Sequence, residues 1–266
     1  MKRYAVVLLS LAAASPAMAQ EGDPRFCPTR PSLGASACTT EPGKVQLEVS
    51  ALDWQLDDTG DQREDRVLAG DVLARFGIGP STEVQLGWTA FGHVRTRDKT
   101  TGVVDTVNGV GDVTLAVRQS LRHPDGKGLS FGIQPQLTLP VGHSQIGAGD
   151  WGAGVVLPVS YDLGDKINLQ FTGEGDDAVD QDGDGRHLAY SGIWGLAYEV
   201  SDKVTAAAEL SLERDNDPAG HETHSLAALS FAYQPRKTLQ FDVLAVAGLN
   251  RTSPDVRLVT GGAILF

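Results

Sequence analysis

From residue 43 to the end of the chain, apolar side chains recur at every second position, with polar or small residues between them. The alternation is clearest in two sets of positions, Val84, Leu86, Trp88 and Ala90, and Leu239, Phe241, Val243, Ala245 and Ala247. A two-residue period predicts β-strands with one apolar face. The repeated segments are about eleven residues long, the length that crosses a bilayer at the strand tilt of a barrel.

Turn-forming sequences separate twelve such strands. Five short connections, rich in Gly, Pro, Asp and Lys, lie at residues 78–82, 123–128, 163–166, 200–203 and 234–238. Six connections, mostly longer and more polar, alternate with them at residues 57–65, 95–108, 142–150, 175–186, 214–222 and 250–255. This order predicts an all-β fold, a transmembrane antiparallel up-and-down β-barrel of about twelve strands with both chain ends on the periplasmic side.

The first strand changes phase. Val45, Leu47 and Val49 hold one face, whereas Leu52 and Trp54 hold the other. One extra residue in a strand produces such a change, so the pattern predicts a β-bulge near Ala51.

Aromatic residues on the apolar phase are sorted by strand end. Seven fall near the predicted periplasmic edge, namely Phe76, Phe131, Tyr161, Tyr198, Tyr233, Phe241 and Phe266, and three fall near the outer edge, namely Trp54, Trp151 and Tyr190. Two aromatic rings are typical of the two interfaces of a membrane. The alternative, a soluble β-sandwich, has no reason to sort its aromatic residues in this way.

Both ends of the chain indicate export to an outer membrane. Basic Lys2 and Arg3, an apolar stretch at residues 4–14 and the small residues Ala17 and Ala19 predict a signal peptide over residues 1–19. The apolar stretch is too short to span a bilayer, so we expect it to be removed. The last predicted strand ends in Phe266, which we expect to act as the signal recognised by the barrel assembly machinery of a Gram-negative bacterium.

Charge excludes several partners. The chain has 22 basic residues, two of them in the signal peptide, against 34 acidic residues. A strongly acidic protein is a poor ligand for nucleic acid and anionic headgroups, so no nucleic-acid partner is expected. Outer-membrane lipid and lipopolysaccharide, sharing divalent cations with acidic outer loops, are the expected surroundings.

Cys27 and Cys38 are the only cysteines, and they lie in a segment rich in Pro and Gly ahead of the first strand. In an oxidising compartment such a pair predicts a local disulfide. A metal site is the alternative, but the pair lacks the further ligands that zinc requires. We therefore divide the mature chain into a periplasmic amino-terminal segment, residues 20–42, and an outer-membrane β-barrel, residues 43–266.

The polar phase of the strands is expected to face the lumen. The candidate lumen-lining residues are Arg75, Gln85, His93, Arg118, Gln134, Gln136, Gln170, Glu174, Glu209 and Asp242. They either fill a narrow barrel or line a solute path, and the sequence leaves both open. One wall, with Leu226, Leu244, Val246 and Val259, is apolar. That wall suits an amphipathic solute or packing against the amino-terminal segment.

Asp180, Asp182, Asp184 and Gly185 match the first half of a calcium-binding loop. Position 12 of that loop is Ser191 instead of a bidentate Glu, so the three aspartates are weak calcium candidates and a solvated acidic loop is the alternative. No firm metal site and no cofactor are predicted.

Several segments resemble one known family. They are residues 111–121, with Gly-Asp-Val-Thr-Leu, residues 136–142, residues 149–161, with Gly-Asp-Trp-Gly-Ala-Gly, and residues 182–190. The mature chain is similar over nearly all its length to the outer-membrane transporter family named for the meta-pathway of phenol degradation. The resemblance implies a monomeric or weakly associating barrel that moves small solutes, aromatic ones among them. It supplies no catalytic residues, and the cysteine-bearing segment is not part of its pattern.

We therefore expect an outer-membrane channel or transporter for passive passage of small organic solutes, with aromatic molecules as one option. A closed barrel with a structural or surface-interaction role is the alternative. An outer-membrane enzyme is disfavoured, because neighbouring residues such as His143 and Ser144, or His224 and Ser225, point to opposite faces of a strand and form no catalytic dyad.

Overall fold

The structure is a computed structural model that describes residues 24–266, so the predicted signal peptide, residues 1–19, lies outside the described part. The strands of the described part are β1 (Val45–Asp58), β2 (Gln62–Gly79), β3 (Thr82–Asp98), β4 (Val104–Gly109), β5 (Val113–Arg122), β6 (Leu129–Leu139), β7 (Gly152–Leu163), β8 (Ile167–Val179), β9 (Arg186–Ser201), β10 (Val204–Asp215), β11 (Glu222–Arg236), β12 (Leu239–Gly248) and β13 (Val256–Leu265). Residues 24–266 contain no helix long and apolar enough to cross a membrane.

The strands form one closed antiparallel sheet. β1 pairs with β13 on one side and with β2 on the other, which joins the first strand to the last. β3 pairs with β5 along its first half and with the short β4 along its second half. Since β4 and β5 occupy one position of the wall in succession, the barrel is twelve strands round, and the predicted fold class is confirmed.

All five predicted short turns are confirmed at one end of the barrel, such as the turn between Gly79 and Thr82. Short turns mark the periplasmic end of barrels of this kind. At the other, outer end, the predicted loop at 95–108 is wrong. β3 continues to Asp98, and β4 returns from Val104 as an antiparallel hairpin. Outside the bilayer a strand needs no apolar face, so polar composition did not end it.

The bulge predicted near Ala51 is confirmed, because the pairing of β1 with β13 shifts between Ser50 and Leu52. The neighbouring strand β2 carries Gly70 with φ of 64°, a left-handed conformation that glycine adopts without steric cost. The irregularity is therefore shared by adjacent strands, and it changes which side chains face inward in the outer parts of β2 and β3.

Large apolar side chains cover the outside of the barrel, as on β12, where Phe241 and Val243 are about half exposed at 53% and 46%. Exposed aromatic residues stand near the periplasmic ends of the strands at Phe76, Tyr161, Tyr198, Tyr233, Phe241 and Phe266, and near the outer ends at Trp151 and Tyr190. An apolar belt between two aromatic rings is the surface of a barrel embedded in lipid.

Candidate functional site: the lumen and its internal segment

Residues 24–43, called here the internal segment, lie inside the barrel. Arg25 Nη1 donates to the carbonyl oxygens of Pro80 and Pro124, at 3.1 and 3.3 Å, and both belong to short periplasmic turns. On the way out, the Thr39 N–H donates to the Pro124 carbonyl at 3.0 Å, and Gly43 N–H to Gly77 at 2.8 Å. The segment therefore enters and leaves the lumen at the periplasmic end, with its middle pointing outward.

A disulfide joins the part of the segment that enters the lumen to the part that leaves it. Cys27 and Cys38 are bonded, with their Cα atoms 5.8 Å apart, and the predicted disulfide is confirmed. The residues after the second cysteine are the most enclosed of the segment, since Thr39 and Thr40 have no exposed surface. We expected a periplasmic segment and left open whether it packs inside the barrel; the structure corrects this expectation by placing the segment within the lumen.

A buried charge cluster holds the disulfide end of the segment. Arg75 lies between Glu83, 2.9 Å from Nε, and Glu48, 3.0 Å from Nη1. The same guanidinium donates to the carbonyl oxygens of both disulfide-bonded cysteines, to Cys38 at 2.9 Å and to Cys27. Buried charges are stable only when paired and hydrogen-bonded. The carbonyl groups of the segment accept hydrogen bonds from Arg75, and Arg75 in turn holds the segment in place.

Arg118 on β5 extends the charge cluster to the strand next to β3. Its Nη1 lies 3.6 Å from Glu83, and its Nε donates to Gln134 at 2.8 Å. The Thr40 N–H donates to the other Glu83 oxygen at 2.6 Å. Two arginines therefore face two glutamates, Glu48 and Glu83, in a region that water barely reaches.

Arg30, between Cys27 and the tip of the segment, binds the segment to strands β1 and β12. Its guanidinium donates to Asp242 on β12, with Nη2 to Oδ1 at 2.8 Å, and to the Ser50 hydroxyl on β1 at 2.7 Å. Gln240 in turn donates to the Arg30 carbonyl at 2.7 Å. The Glu48 carboxylate accepts the Arg30 N–H at 3.1 Å, so residue 30 is held from both β1 and β12.

The tip of the segment, Ser32 to Ala35, contacts both polar and apolar residues of the barrel wall. The Ser32 hydroxyl donates to Glu209 Oε1 at 2.6 Å, and the Leu33 N–H donates to Oε2 at 3.1 Å. The Ala35 N–H donates to Thr172 at 2.9 Å. The Leu33 side chain packs against the apolar cluster on the last strands, formed by Ala228, Leu244, Val246 and Val259. The apolar wall noted in the sequence is therefore partly covered by the chain itself.

Separate cavities flank the tip. One of about 320 Å³ lies beside Leu33 and reaches Leu73, Val156, Gln136 and Glu174. Another, of about 260 Å³, is lined by Arg30, Leu33, Asp71, Arg257 and Val259. A third, of about 180 Å³, lies among residues near the periplasmic ends of the strands, including Pro28, Ser36, Gln170, Thr205 and Gln240. The internal segment therefore lines a space on each of its two sides, and the walls of these spaces are both polar and apolar.

The other candidate lumen residues form hydrogen-bonded pairs along the wall. Gln85 donates to Glu83 at 2.6 Å, Gln136 to Glu174 at 2.7 Å and Gln170 to Asn168 at 3.0 Å. Fixed amides and carboxylates of this kind give the lumen a defined pattern of donors and acceptors.

His93 lies elsewhere than expected. Its ring contacts Asn108 Oδ1 on β4 at 2.7 Å in an exposed position, whereas the adjacent Gly92 and Val94 are the buried residues of this stretch. The cause is the irregularity at Gly70, which shifts the facing of the outer parts of β2 and β3. A strict two-residue alternation counted from Gln85 does not anticipate it.

Glu48 and Glu83 are interior residues that were not predicted from the sequence. The pair formed by Arg257 and Asp53, whose Nη2 and Oδ2 atoms are 2.6 Å apart, was not predicted either. A signal existed for the two glutamates, because Glu48 shares its phase with Gln46 and Glu83 is two residues from Gln85. Asp53 lies beyond the bulge, so its phase was harder to assign.

The calcium candidates are not gathered into one group. Asp184 N–H donates to Asp182 Oδ1 at 3.0 Å within the loop, and Asp180 instead approaches His187, with Oδ1 2.8 Å from Nδ1. Within residues 24–266, the group of three side chains whose carboxylate and imidazole ligand atoms all lie within 4.8 Å of one another is Asp180, His187 and Asp217.

The anchoring of the tip can be tested with Asp242→Asn. The amide keeps the shape of the carboxylate but removes the charge opposite Arg30, and charge-assisted hydrogen bonds are worth about 1.5–3 kcal/mol. We expect amide hydrogen exchange of residues 30–36 to accelerate about tenfold or more, since 1.4 kcal/mol corresponds to a factor of ten. Asp65→Asn, in the exposed outer pair with Arg63, is the matched control. Equal exchange in both variants would argue against this anchor.

A closed antiparallel barrel with an apolar belt, two aromatic rings, short turns at one end and a polar interior is the architecture of the outer-membrane β-barrels of Gram-negative bacteria, and this protein is one of them. Its lumen holds a segment of its own chain. A sequence profile of the family described as the MetA-pathway of phenol degradation matches residues 30–265, and the chain belongs to that family. The match includes most of the internal segment.

Solved structures of similar fold support the architecture. The NanC porin is 13% identical, with a TM-score of 0.51, over 80% of this chain and 99% of that one. The translocator domain of the autotransporter NalP from Neisseria meningitidis is 13% identical, with a TM-score of 0.51, over 85% and 90%. The β domain of the Bordetella autotransporter Brka is 13% identical, with a TM-score of 0.51, over 85% and 100%. No curated protein matches the chain closely in sequence.

Proposed function

We propose that this protein is a passive outer-membrane channel for small organic solutes, with the internal segment as its constriction. The observation that carries the proposal is the pair of spaces on the two sides of the tip, about 320 and 180 Å³. The larger space lies at the lower end of the range of about 300–1,000 Å³ that is found for small-molecule sites. The family to which the chain belongs is consistent with such a cargo.

The character of the walls favours amphipathic or aromatic solutes over bare ions. The larger space combines Leu73 and Val156 with the amide of Gln136 and the carboxylate of Glu174. Such a mixed wall can bind an apolar ring and one or two polar substituents together. Passage then requires the tip, Ser32 to Ala35, to move aside, which breaks its hydrogen bonds to Glu209 and Thr172.

The anchoring of the segment also supports a second candidate, a barrel that stays closed and acts through its outer surface. The segment is hydrogen-bonded to strands β1, β2, β3, β5, β8, β10 and β12. Contacts on all sides, together with a disulfide, hold it firmly. Neither candidate requires catalysis, and both include lipopolysaccharide as a neighbour and the barrel assembly machinery as the route to the membrane.

A permeation measurement tests the proposal. Purified protein is reconstituted into liposomes of neutral lipid, and uptake of small phenolic and aliphatic solutes is compared with liposomes lacking protein. The channel predicts uptake that saturates weakly, needs no gradient of protons or ions, and is faster for small aromatic solutes than for charged sugars of equal mass. Uptake no faster than in protein-free liposomes would favour the closed barrel instead.

A further inference from the structure

His187 stands among three carboxylates at the outer rim. Its Nδ1 lies 2.8 Å from Asp180 Oδ1 and 3.8 Å from Asp217 Oδ2, and its Nε2 lies 2.7 Å from Asp215 Oδ1. The side chain is 6% exposed, and Nε2 has no aligned hydrogen-bond partner within the described residues. The imidazole is therefore enclosed, although it belongs to a surface region.

The four residues come from two separate connections. Asp180 begins the turn between β8 and β9, and His187 is the second residue of β9. Asp215 ends β10, and Asp217 follows it in the connection to β11. The cluster therefore links two outer loops, which are also joined by the hydrogen bond from the Gln181 N–H to Asp217.

The loops are built to hold these carboxylates in place. Asp217 accepts the backbone N–H groups of Ala219, at 2.7 Å on Oδ1, and Gln181, at 2.6 Å on Oδ2. These two donors hold the pKa of Asp217 below its usual range. Gly185 has φ of 131°, and a side chain there would collide with Asp180 Oδ2. The absence of a side chain at residue 185 therefore leaves room for the Asp180 carboxylate, whose Oδ1 lies 2.8 Å from His187 Nδ1.

The ring can satisfy both neighbours only with a cation at Nδ1. Nδ1 lies at hydrogen-bond distance from Asp180, whereas Nε2 faces Asp215 without an aligned bond. When a neutral imidazole has its proton on Nε2, the Nδ1 lone pair points at the oxygens of Asp180 and Asp217. Lone pairs facing one another repel, and either a second proton on Nδ1 or a metal ion bound by Nδ1 and the two carboxylates removes that repulsion. Arg186, which precedes His187 in the sequence, pairs with Asp150 and Asp177 instead.

We propose that Asp180, His187 and Asp217 form a binding site for a divalent transition-metal ion of the zinc type. One imidazole nitrogen and two carboxylates suit zinc, whereas calcium prefers oxygen ligands alone. Asp215 is a positioning residue, because a carboxylate on the second nitrogen of a metal-binding histidine fixes its tautomer and orientation. The ion fastens the β8–β9 turn to the β10–β11 connection at the channel mouth.

Zinc titration of the detergent-purified full-length protein tests the site. The apoprotein is prepared with a chelator, and Zn²⁺ alone is titrated against a chromophoric zinc indicator at pH 7.5. We expect one site per chain in the wild type, loss of that site in His187→Gln, and affinity lowered about 10–100-fold in Asp215→Asn, the usual effect of removing such an orienting carboxylate. Binding should weaken in acid because protons compete for the same ligands.

His143→Gln, in another outer loop, is the matched control and should bind zinc as the wild type does. Asp217→Asn provides a second ligand variant if His187→Gln does not assemble, and assembly is checked by heat-dependent migration on a gel. Zinc binding that is the same in His187→Gln, Asp217→Asn and the wild type would overturn the site. So would an Asp215→Asn variant of unchanged affinity together with Ca²⁺ binding as strong as that of Zn²⁺.

Discussion

Deletion of residues 24–41 is expected to convert the constricted barrel into an open pore. The segment fills the lumen at the level of Arg75 and the tip, and a twelve-stranded barrel lies between small barrels filled by side chains and large ones with aqueous channels. Without it, the wall charges of Glu48, Glu83 and Arg118 face water. Single-channel conductance in planar bilayers should rise by about an order of magnitude or more, and the pore should become much less selective.

The deletion needs a control for non-specific leakage. Removal of residues 99–102, the tip of the β3–β4 hairpin, shortens the chain far from the segment and should leave the conductance unchanged. If the large deletion does not assemble, Leu33→Asp serves instead. It places a carboxylate against the apolar cluster and near Glu209, so the tip should detach while the disulfide end stays bound. A conductance unaltered in both variants would mean that the segment is not the barrier.

The strand pattern could be predicted from the sequence because it is local. Each strand alternates under the same constraint, lipid on one face and lumen on the other, and the periplasmic turns carry their own chemistry of Gly, Pro and Asp. The bulge at Ala51 was visible for the same reason, as a change of phase within a few residues. His93 was misplaced because the phase changes on β3 at Ala90 and Phe91, next to Gly70 of β2, and an alternation counted from Gln85 passes over that change.

The position of the internal segment could not be predicted, because its contacts are remote in sequence. Arg30 and Asp242 are 212 positions apart, and Ser32 and Glu209 are 177 apart. The segment has no periodicity of its own, since Pro and Gly interrupt it. The sequence did show the apolar wall on the last strands, with Leu244 and Val259, which suited packing against an apolar group. Only the structure identifies Leu33 as that group.

The largest change in stability is expected from Arg75→Met. The substitution keeps the length of the side chain but leaves Glu48 and Glu83 buried without their shared cation. It also removes one donor from the carbonyl groups of Cys27 and Cys38, the second of which keeps its bond to Arg118. Removing one member of a buried ion pair typically costs 3–5 kcal/mol. Because water can enter as the segment loosens, we expect a decrease of about 3 kcal/mol in the free energy of unfolding, measured by urea denaturation in detergent or lipid.

Arg63→Met is the matched control, because it removes an arginine from an exposed pair and leaves the buried cluster intact. Arg63 pairs with Asp65 at the exposed outer end of β2, and such a pair contributes little to stability because water and salt screen the charges. In the double variant Arg75→Met, Glu83→Gln, a neutral amide replaces the stranded carboxylate, so part of the lost stability should return. A coupling of at least about 1 kcal/mol between the two positions is expected from residues in direct contact. Strict additivity would mean that the charge cluster does not act as a unit.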